Sequence, residues 1–240
     1  MTGFGFAIRS FIHYLRFNLT VAIGVGISTA ILTGGLIVGD SVRYSLEQST
    51  RYRLGGARTA ITAGDRFTTA SLAALLQEEL SADPSAGQEI ICAPVFQLGG
   101  IATADGGRLR INRVQVLGVN EPFDLIADTS SYYGDLSGDD VIISENIAER
   151  LEIGVGDYIV LRIRKASVMP MNTPFVSATQ TTVSARVRVK AVAGIPALGR
   201  FSLKISQTAP FNVFISLEQL NNIMDLEDKA NVMLISHDGH

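Results

Sequence analysis

Apolar and polar residues follow three different rhythms along this chain, and the first is an unbroken apolar run. From Leu19 to Val38 the sequence LTVAIGVGISTAILTGGLIV carries no charge. At about 1.5 Å of rise per residue, a helix of that length covers roughly 30 Å, the thickness of a bilayer's hydrocarbon core. Its polar members, Thr20, Ser28, Thr29 and Thr33, have hydroxyls that can bond back to carbonyls of the same helix. The pattern predicts a transmembrane helix over 18–40. Within it Ala22, Gly26, Ala30 and Gly34 recur at four-residue spacing, with Gly24, Ser28 and Gly35 close by. Small residues stacked this way let another helix approach closely, so this stripe is the predicted helix-packing face. A lone anchor has little need of such a groove, and partner helices are expected.

The second rhythm is helical and flanks the first. In residues 1–17, Phe4, Ile8, Phe11, Ile12 and Leu15 share one face while Arg9, His13 and Arg16 share another. An amphipathic helix with cations opposite aromatics lies in the membrane interface. Arginines just before the apolar run place the N-terminus in the cytoplasm by the positive-inside rule, and everything after about residue 40 outside it. No later stretch is long and apolar enough to cross again. A cleaved signal peptide predicts a shorter apolar core and an Ala-x-Ala site, and GLIVGDSVR offers none. Beyond the membrane Val42, Leu46 and Leu54 keep an apolar seam, with Arg43, Glu47, Arg51 and Arg53 on other faces, until Gly55-Gly56. Residues 41–56 therefore read as a helix, serving equally as a stiff stalk or as a docking helix.

The third rhythm fills 57–240, where strand and helix periods mix. ARTAITAG reads as a strand. Thr68 or Thr69 can cap a helix over Ala70–Leu80 with Leu72, Leu75, Leu76 and Leu80 on its buried side. Ser81 to Gly87 is a loop. EIICAPVFQLGGIATA and RLRINRVQVLGV are strands joined at Asp105-Gly106-Gly107. A turn-rich link spans Asn120 to Asp140. A strand, a helix capped by Ser144, the turn at Gly154 and Gly156, and a strand alternating Ile159, Leu161, Ile163 against Arg162, Arg164 follow. TTVSARVRVKAVA alternates Val183, Ala185, Val187, Val189, Ala191 and Ala193 inward against Ser184, Arg186, Arg188 and Lys190, a sheet with one wet face. Ser216 with Gln219 forms a capping box for the helix LEQLNNIMDL, and ANVMLIS is the last strand. The fold class is thus α+β: one N-terminal transmembrane helix, then a mixed α/β extracytoplasmic domain of two lobes, about 57–125 and 140–240.

Composition sharpens this picture without redirecting it. The apolar share of 47% and mean hydropathy of +0.27 are high for a soluble protein, largely because of residues 4–38. With a net charge of −3 and no basic block, nothing points to nucleic acid as a partner. The single cysteine, Cys92, sits in an apolar run and reads as a buried thiol. No phosphate-cradling loop, nucleophile elbow or metal-spaced histidines occur. Asp135, Asp139 and Asp140 have a calcium-like composition without an EF-hand's closing Glu, and read as an acidic turn. No catalytic, cofactor or metal residues are expected, and the chain does not read as an enzyme.

Three blocks of this sequence resemble ABC-transporter permeases of the FtsX-like, MacB-type family. The N-terminal block through GDSVRYSLEQSTRYRLGG resembles that family's first transmembrane helix running out into its periplasmic domain. VIISENIAERLEIGVGDYIVLRI, with Ala148, Leu151, Gly154, Gly156 and Asp157, resembles the domain's strand–helix–Gly-x-Gly-Asp–strand element. VRVKAVAGI followed by NVFISLEQLNNIM is similar to the domain's ending. The insert RKASVMPMNTPFVSATQTTVSARV and the GRFSLKISQTAPFNVF segment are closer to larger permeases with two such modules. The resemblance implies a permease in the bacterial inner membrane, working with a separate ABC ATPase subunit and a permease partner or a homodimer, and acting on a periplasmic substrate or protein. It also implies further membrane helices and an ATPase-contacting loop, so the expectation is a truncated permease or one whose remainder lies on another chain. The alternative reading is a stand-alone membrane-anchored binding or adaptor protein.

Overall fold

The computed structural model describes residues 5, 9, 11–64, 66–82, 90–104, 106–164, 182–204, 206 and 208–237. Phe4 and Ile8 of the expected interfacial face, the loop over 83–87, Asp105, positions 165–181 of the insert and His240 lie outside them. The chain divides into two units, Met1–Ser49 and Thr50–His240.

The first unit is helical. Residues 11–13 are in helix, Tyr14 forms a turn, and helix α1 then runs from Leu15 to Leu54 without a break, 40 residues in all. Its last five residues belong to the second unit. None of its residues is buried, and even the large apolar Phe17 and Leu36 are 71% and 72% exposed. A soluble core helix hides its apolar stripe, so an apolar helix that hides nothing needs a non-aqueous surrounding. The hydroxyls behave as such a surrounding demands. Thr20 Oγ1 donates to the carbonyl of Arg16 at 2.9 Å and Thr29 Oγ1 to that of Val25 at 2.9 Å. Past the apolar run, Arg43 and Glu47 pair at 3.2 Å one turn apart, a contact of surface helices.

Among the described residues the globular unit has ten strands: β1 (Thr59–Thr62), β2 (Thr68–Thr69), β3 (Ile90–Ala104), β4 (Arg110–Val119), β5 (Asp140–Ser144), β6 (Tyr158–Arg164), β7 (Thr182–Ala193), β8 (Asn212–Ser216), β9 (Lys229–Ala230) and β10 (Val232–His237). Four helices interleave with them: α2 (Leu72–Ser81), α3 (Glu121–Ala127), α4 (Glu145–Leu151) and α5 (Leu217–Ile223). The strand order β3-β4-β8-β5-β7-β6 closes on itself, because β6 also pairs with β3 from Gly100 to Ala104. The result is a six-stranded barrel. The other half of β3, Ile90–Val95, leaves it to pair with β10, which pairs in turn with β1. Two parallel pairs, β4 with β8 and β5 with β7, sit among antiparallel ones.

The two expected lobes are not confirmed: Thr50–His240 forms one compact unit, and the barrel draws on both stretches. It takes two strands from before residue 125 and four from after 140, and β3 belongs to both of its neighbouring sheets. Two apolar clusters explain the strand patterns. One fills the barrel with Phe96, Val116, Ile143, Leu161, Val187 and Val213 among others. The other lies outside it, under Phe123, Ile126, Tyr133, Leu198 and Phe201. Strands β5, β8 and β10 feed both clusters and read as continuous apolar runs. β6 feeds only the interior, so Ile159, Leu161 and Ile163 are buried while Arg162 and Arg164 are exposed. β7 begins the same way, but a register shift against β5 turns Ala191 and Ala193 to the outer cluster and Val192 inward. The expected six-residue inward set therefore splits at Lys190.

Several local expectations also change. Thr68 and Thr69 pair with β9 instead of capping a helix, and α2 begins after Ser71. Its buried contact is Ala73 with Leu76, while Leu75 stays 62% exposed, because α2 touches β3 along a narrow strip. The link from Asn120 contains α3, opened by Asn120 with Pro122 in its first turn. Neither Ser144 nor Ser216 makes a side-chain cap bond. Ser144 Oγ donates to Asn146 Oδ1 at 2.5 Å and accepts from the backbone N–H of Asn212 at 3.0 Å. Gln219 reaches Asp139 at 3.2 Å, not back to the start of its own helix.

Candidate functional site: a helix end held in the globular unit

The sequence-predicted packing residues Ala22, Gly26, Ala30 and Gly34 all lie exposed on α1. A Cβ added at Gly24, Gly26, Gly34 or Gly35 would meet nothing within 4 Å. The stripe is an open, shallow groove on a helix that buries nothing.

Within the globular unit, the end of α1 is held far more tightly. Gly55 ends the helix with φ +57°, and its N–H still reaches the carbonyl of Arg51 at 2.9 Å. Only glycine takes that conformation without strain. A Cβ at this position would stand 2.5 Å from the carbonyl oxygen of Ile126 and 2.8 Å from a methyl of Leu198. The next N–H, of Gly56, donates to that same Ile126 oxygen at 2.9 Å. The carbonyls of a helix's last turn lack partners within the helix, and Gly56 supplies one to α3. Ser202 N–H donates to the carbonyl of Arg53 at 3.3 Å, and Arg58 N–H to that of Ile235 at 2.9 Å. Thus α3, the 194–204 segment and β10 all grip one short stretch of chain.

The grip is itself organised by a buried carboxylate that sequence reasoning passed over. Asp124, 3% exposed, accepts from Thr129 Oγ1 at 2.6 Å, from the N–H groups of Tyr132 and Tyr133 at 2.9 Å each, and from Gly134 N–H at 2.7 Å. Four donors compensate for the loss of water around a charge. They fold the chain after α3 back so that Tyr133 enters the outer cluster, where its hydroxyl donates to the carbonyl of Ala197. Leu198, the next residue, is the one that touches Gly55. Phe123 packs edge-on against Tyr133 at 4.9 Å and Phe201 at 5.6 Å. Burial, with Tyr132 and Asp124 nearby, pushes the Tyr133 phenol well above its ordinary value, so it stays a neutral donor. Asn212, fully buried, donates to the carbonyls of Gly199 at 3.1 Å and Phe201 at 2.8 Å, pinning the same segment from below. The available signal for all this was Asn120-Glu121-Pro122, a helix start inside what reads as turns.

Next to this support lies a cleft of about 470 Å³ at the ends of β4 and β8, lined by Asn120, Tyr133, Leu217, Glu218, Asn221 and Asp228 among others. The carboxylates of the acidic turn go separate ways. Asp140 pairs with Arg188 at 2.7 Å, Asp139 accepts from Gln219, and Asp135 offers its backbone carbonyl to Lys190 at 2.8 Å. Among the described residues no His, Cys, Asp and Glu side chains gather in a metal-binding group. Cys92 is buried and its thiol is pushed up by desolvation, so it is no ready nucleophile. What the geometry brings together is a helix end, a steric lock at Gly55 and a polar brace from Asp124.

No protein-family profile and no curated protein matches the chain. Among solved structures it is similar to the periplasmic region of MacB from Actinobacillus actinomycetemcomitans, at 11% identity and TM-score 0.43, over 78% of this chain and 76% of that one. It is also similar to the extracellular domain of the noncanonical ABC-type transporter YknZ from Gram-positive bacteria, at 12% identity and TM-score 0.39, over 73% and 72% of the two chains.

Proposed function

We propose that this chain is the N-terminal part of an ABC-transporter permease subunit that passes membrane-helix motion to an extracytoplasmic domain. In this reading 1–17 lie on the cytoplasmic interface, 18–40 cross the membrane, 41–56 form a stalk and 57–240 work outside. ATP hydrolysis belongs to a separate subunit, and a permease partner or second copy seats on the small-residue stripe. The observation that carries the reading is helix α1: it is unbroken over 40 residues, buries none of them, and ends in a turn bonded at Arg53, Gly55 and Gly56 inside the globular unit. A helix that only anchors needs a flexible tether after the membrane. A helix that transmits needs a fixed end, and the lock at Gly55 with the Asp124 brace supplies one. The three motif blocks of the sequence, in family order, support the same assignment.

The test is co-purification from native membranes of the complete gene product and of this 240-residue form, each probed for an ATPase subunit. Recruitment by the complete form is expected. Recruitment by neither sinks the transporter reading and leaves the stand-alone binding protein, which the cleft beside Tyr133 favours. Direction is tested separately, by labelling Ser45→Cys in intact cells with a membrane-impermeant maleimide. Labelling from outside is expected; labelling only after lysis reverses the topology.

A further inference from the structure

One wall of the barrel has a charge opposite to that of the chain. Strands β4, β3, β6 and β7 lie side by side and contain no Asp or Glu, in a protein of net charge −3. Their outward positions carry Arg110 and Arg113 on β4, Arg162 and Arg164 on β6, and Arg186 and Arg188 on β7, all exposed. Asp140 of β5 neutralises Arg188, and Arg186 lies 4.3 Å over the Tyr158 ring. Among the described residues, Arg110, Arg113, Arg162 and Arg164 have no acidic neighbour in bonding range. Between those two pairs runs the outer face of β3, where Gly99, Ile101 and Thr103 make a low floor. A Cβ at Gly99 would come 3.8 Å from an Arg164 terminal nitrogen, so the Arg164 guanidinium lies against that edge of the floor. With strands about 4.8 Å apart, the two arginine rows stand about 10 Å apart across it.

We propose that this wall is a docking surface for an extended acidic polypeptide segment of a partner protein. An extended chain sends successive side chains to opposite sides, and alternate residues repeat at about 6.6–7 Å, the spacing of Arg162 to Arg164 along β6. Carboxylates on such a segment reach both rows while its backbone lies over the β3 floor. Arginine suits this role, because its planar fork binds carboxylate with two parallel hydrogen bonds. A lipid surface fits less well. Membrane-binding faces add apolar anchors to their cations, and the wall's one large exposed aromatic, Tyr158, lies beneath Arg186.

The experiment uses the whole chain in nanodiscs of phosphatidylcholine alone and a fluorescent decapeptide alternating Glu and Ser, at low salt. Binding is expected for the unmodified chain, weakened about tenfold or more in R162Q/R164Q, with the Lys–Ser peptide not bound. The double variant R150Q/R200Q, which removes two exposed arginines elsewhere, is expected to stay within about twofold of the unmodified chain. The proposal is overturned by no binding to the Glu–Ser peptide, or by equal loss in both double variants. It is also overturned if vesicles containing phosphatidylglycerol bind through Arg162 and Arg164 while the peptide does not.

Discussion

Two apolar runs in this chain end in opposite surroundings. LTVAIGVGISTAILTGGLIV on α1 is exposed throughout, and VMLI on β10 is buried against two cores at once. Both are apolar and charge-free, so composition does not separate them. Length does. Four apolar residues are satisfied by neighbouring strands, whereas twenty in one helix outrun any core this unit can offer and match a bilayer instead. The apolar residue is the same tool in both places, set against protein in one and lipid in the other. Substitutions that damage one region should therefore leave the other unmarked.

The largest effect belongs to the outer cluster. Phe123→Ala removes a fully buried ring that touches Tyr133, Phe201 and Phe214, and should cost the globular unit about 3–5 kcal/mol. Urea unfolding followed by near-ultraviolet circular dichroism reads it, and membrane integration of α1 should not change. The mirror experiment is Ile31→Asp, a residue 68% exposed in the middle of the apolar run. It should reduce insertion by about 2.5–3.5 kcal/mol on a translocation assay while the globular unit unfolds as before. If Ile31→Asp destabilises the globular unit instead, α1 is a soluble element and the contrast fails.

Gly55→Ala probes the place where the two behaviours meet in sequence. The added methyl meets the Ile126 oxygen and Leu198, and the positive φ strains any L-residue, so a loss of about 2–4 kcal/mol is expected. Gly26→Ala, in open space on the same helix, should cost nothing by the same measurement. How much of this was legible differs between the two glycines. Gly55-Gly56 announces a helix end in sequence, and the helix does end there. That Gly55 is also sterically locked depends on Leu198 and Ile126, more than seventy positions away, and no local pattern carries it. The spacing of the small residues on α1 was legible, because a helix's own period displays it, while their packing role stays a proposal. The barrel closure was not: β3 pairing with β6 joins Gly100 to Ile163, a long-range contact that alternation alone cannot specify. The leucines of α2 misled for a related reason. Ala73, Leu76 and Gln77 are enough to dock the helix on β3, and amphipathic spacing overstates what gets covered.

A smaller effect separates packing from anchoring within α1. Gly26→Leu with Gly34→Leu fills the groove without touching anything in the chain itself. If the stripe seats a partner helix, association in detergent should weaken by about 1–2 kcal/mol, read by crosslinking or sedimentation. Unchanged association assigns the glycines to composition alone.

The finest contrast is one of protonation. Tyr133 is buried with its hydroxyl bonded to Ala197, while the tyrosines of α1, such as Tyr44, are exposed. Burial holds the Tyr133 pKa above the ordinary value of 10.0 in the folded state. Its contribution to stability is thus whole below about pH 10 and falls as pH rises past it, because the unfolded chain releases the proton first and the folded one keeps it. The slope is about 1.4 kcal/mol per pH unit for one proton. Unfolding free energies of the globular unit measured between pH 9 and pH 11 should show this extra decline. Tyr133→Phe should lower stability by about 1 kcal/mol at neutral pH, since the Ala197 carbonyl loses its donor, and should flatten the alkaline decline. Tyr44→Phe, at an exposed site, should leave stability at neutral pH unchanged. If the decline survives in Tyr133→Phe, the brace from Asp124 through Tyr133 to Leu198 does not hold the phenol away from water, and the lock at Gly55 rests on packing alone.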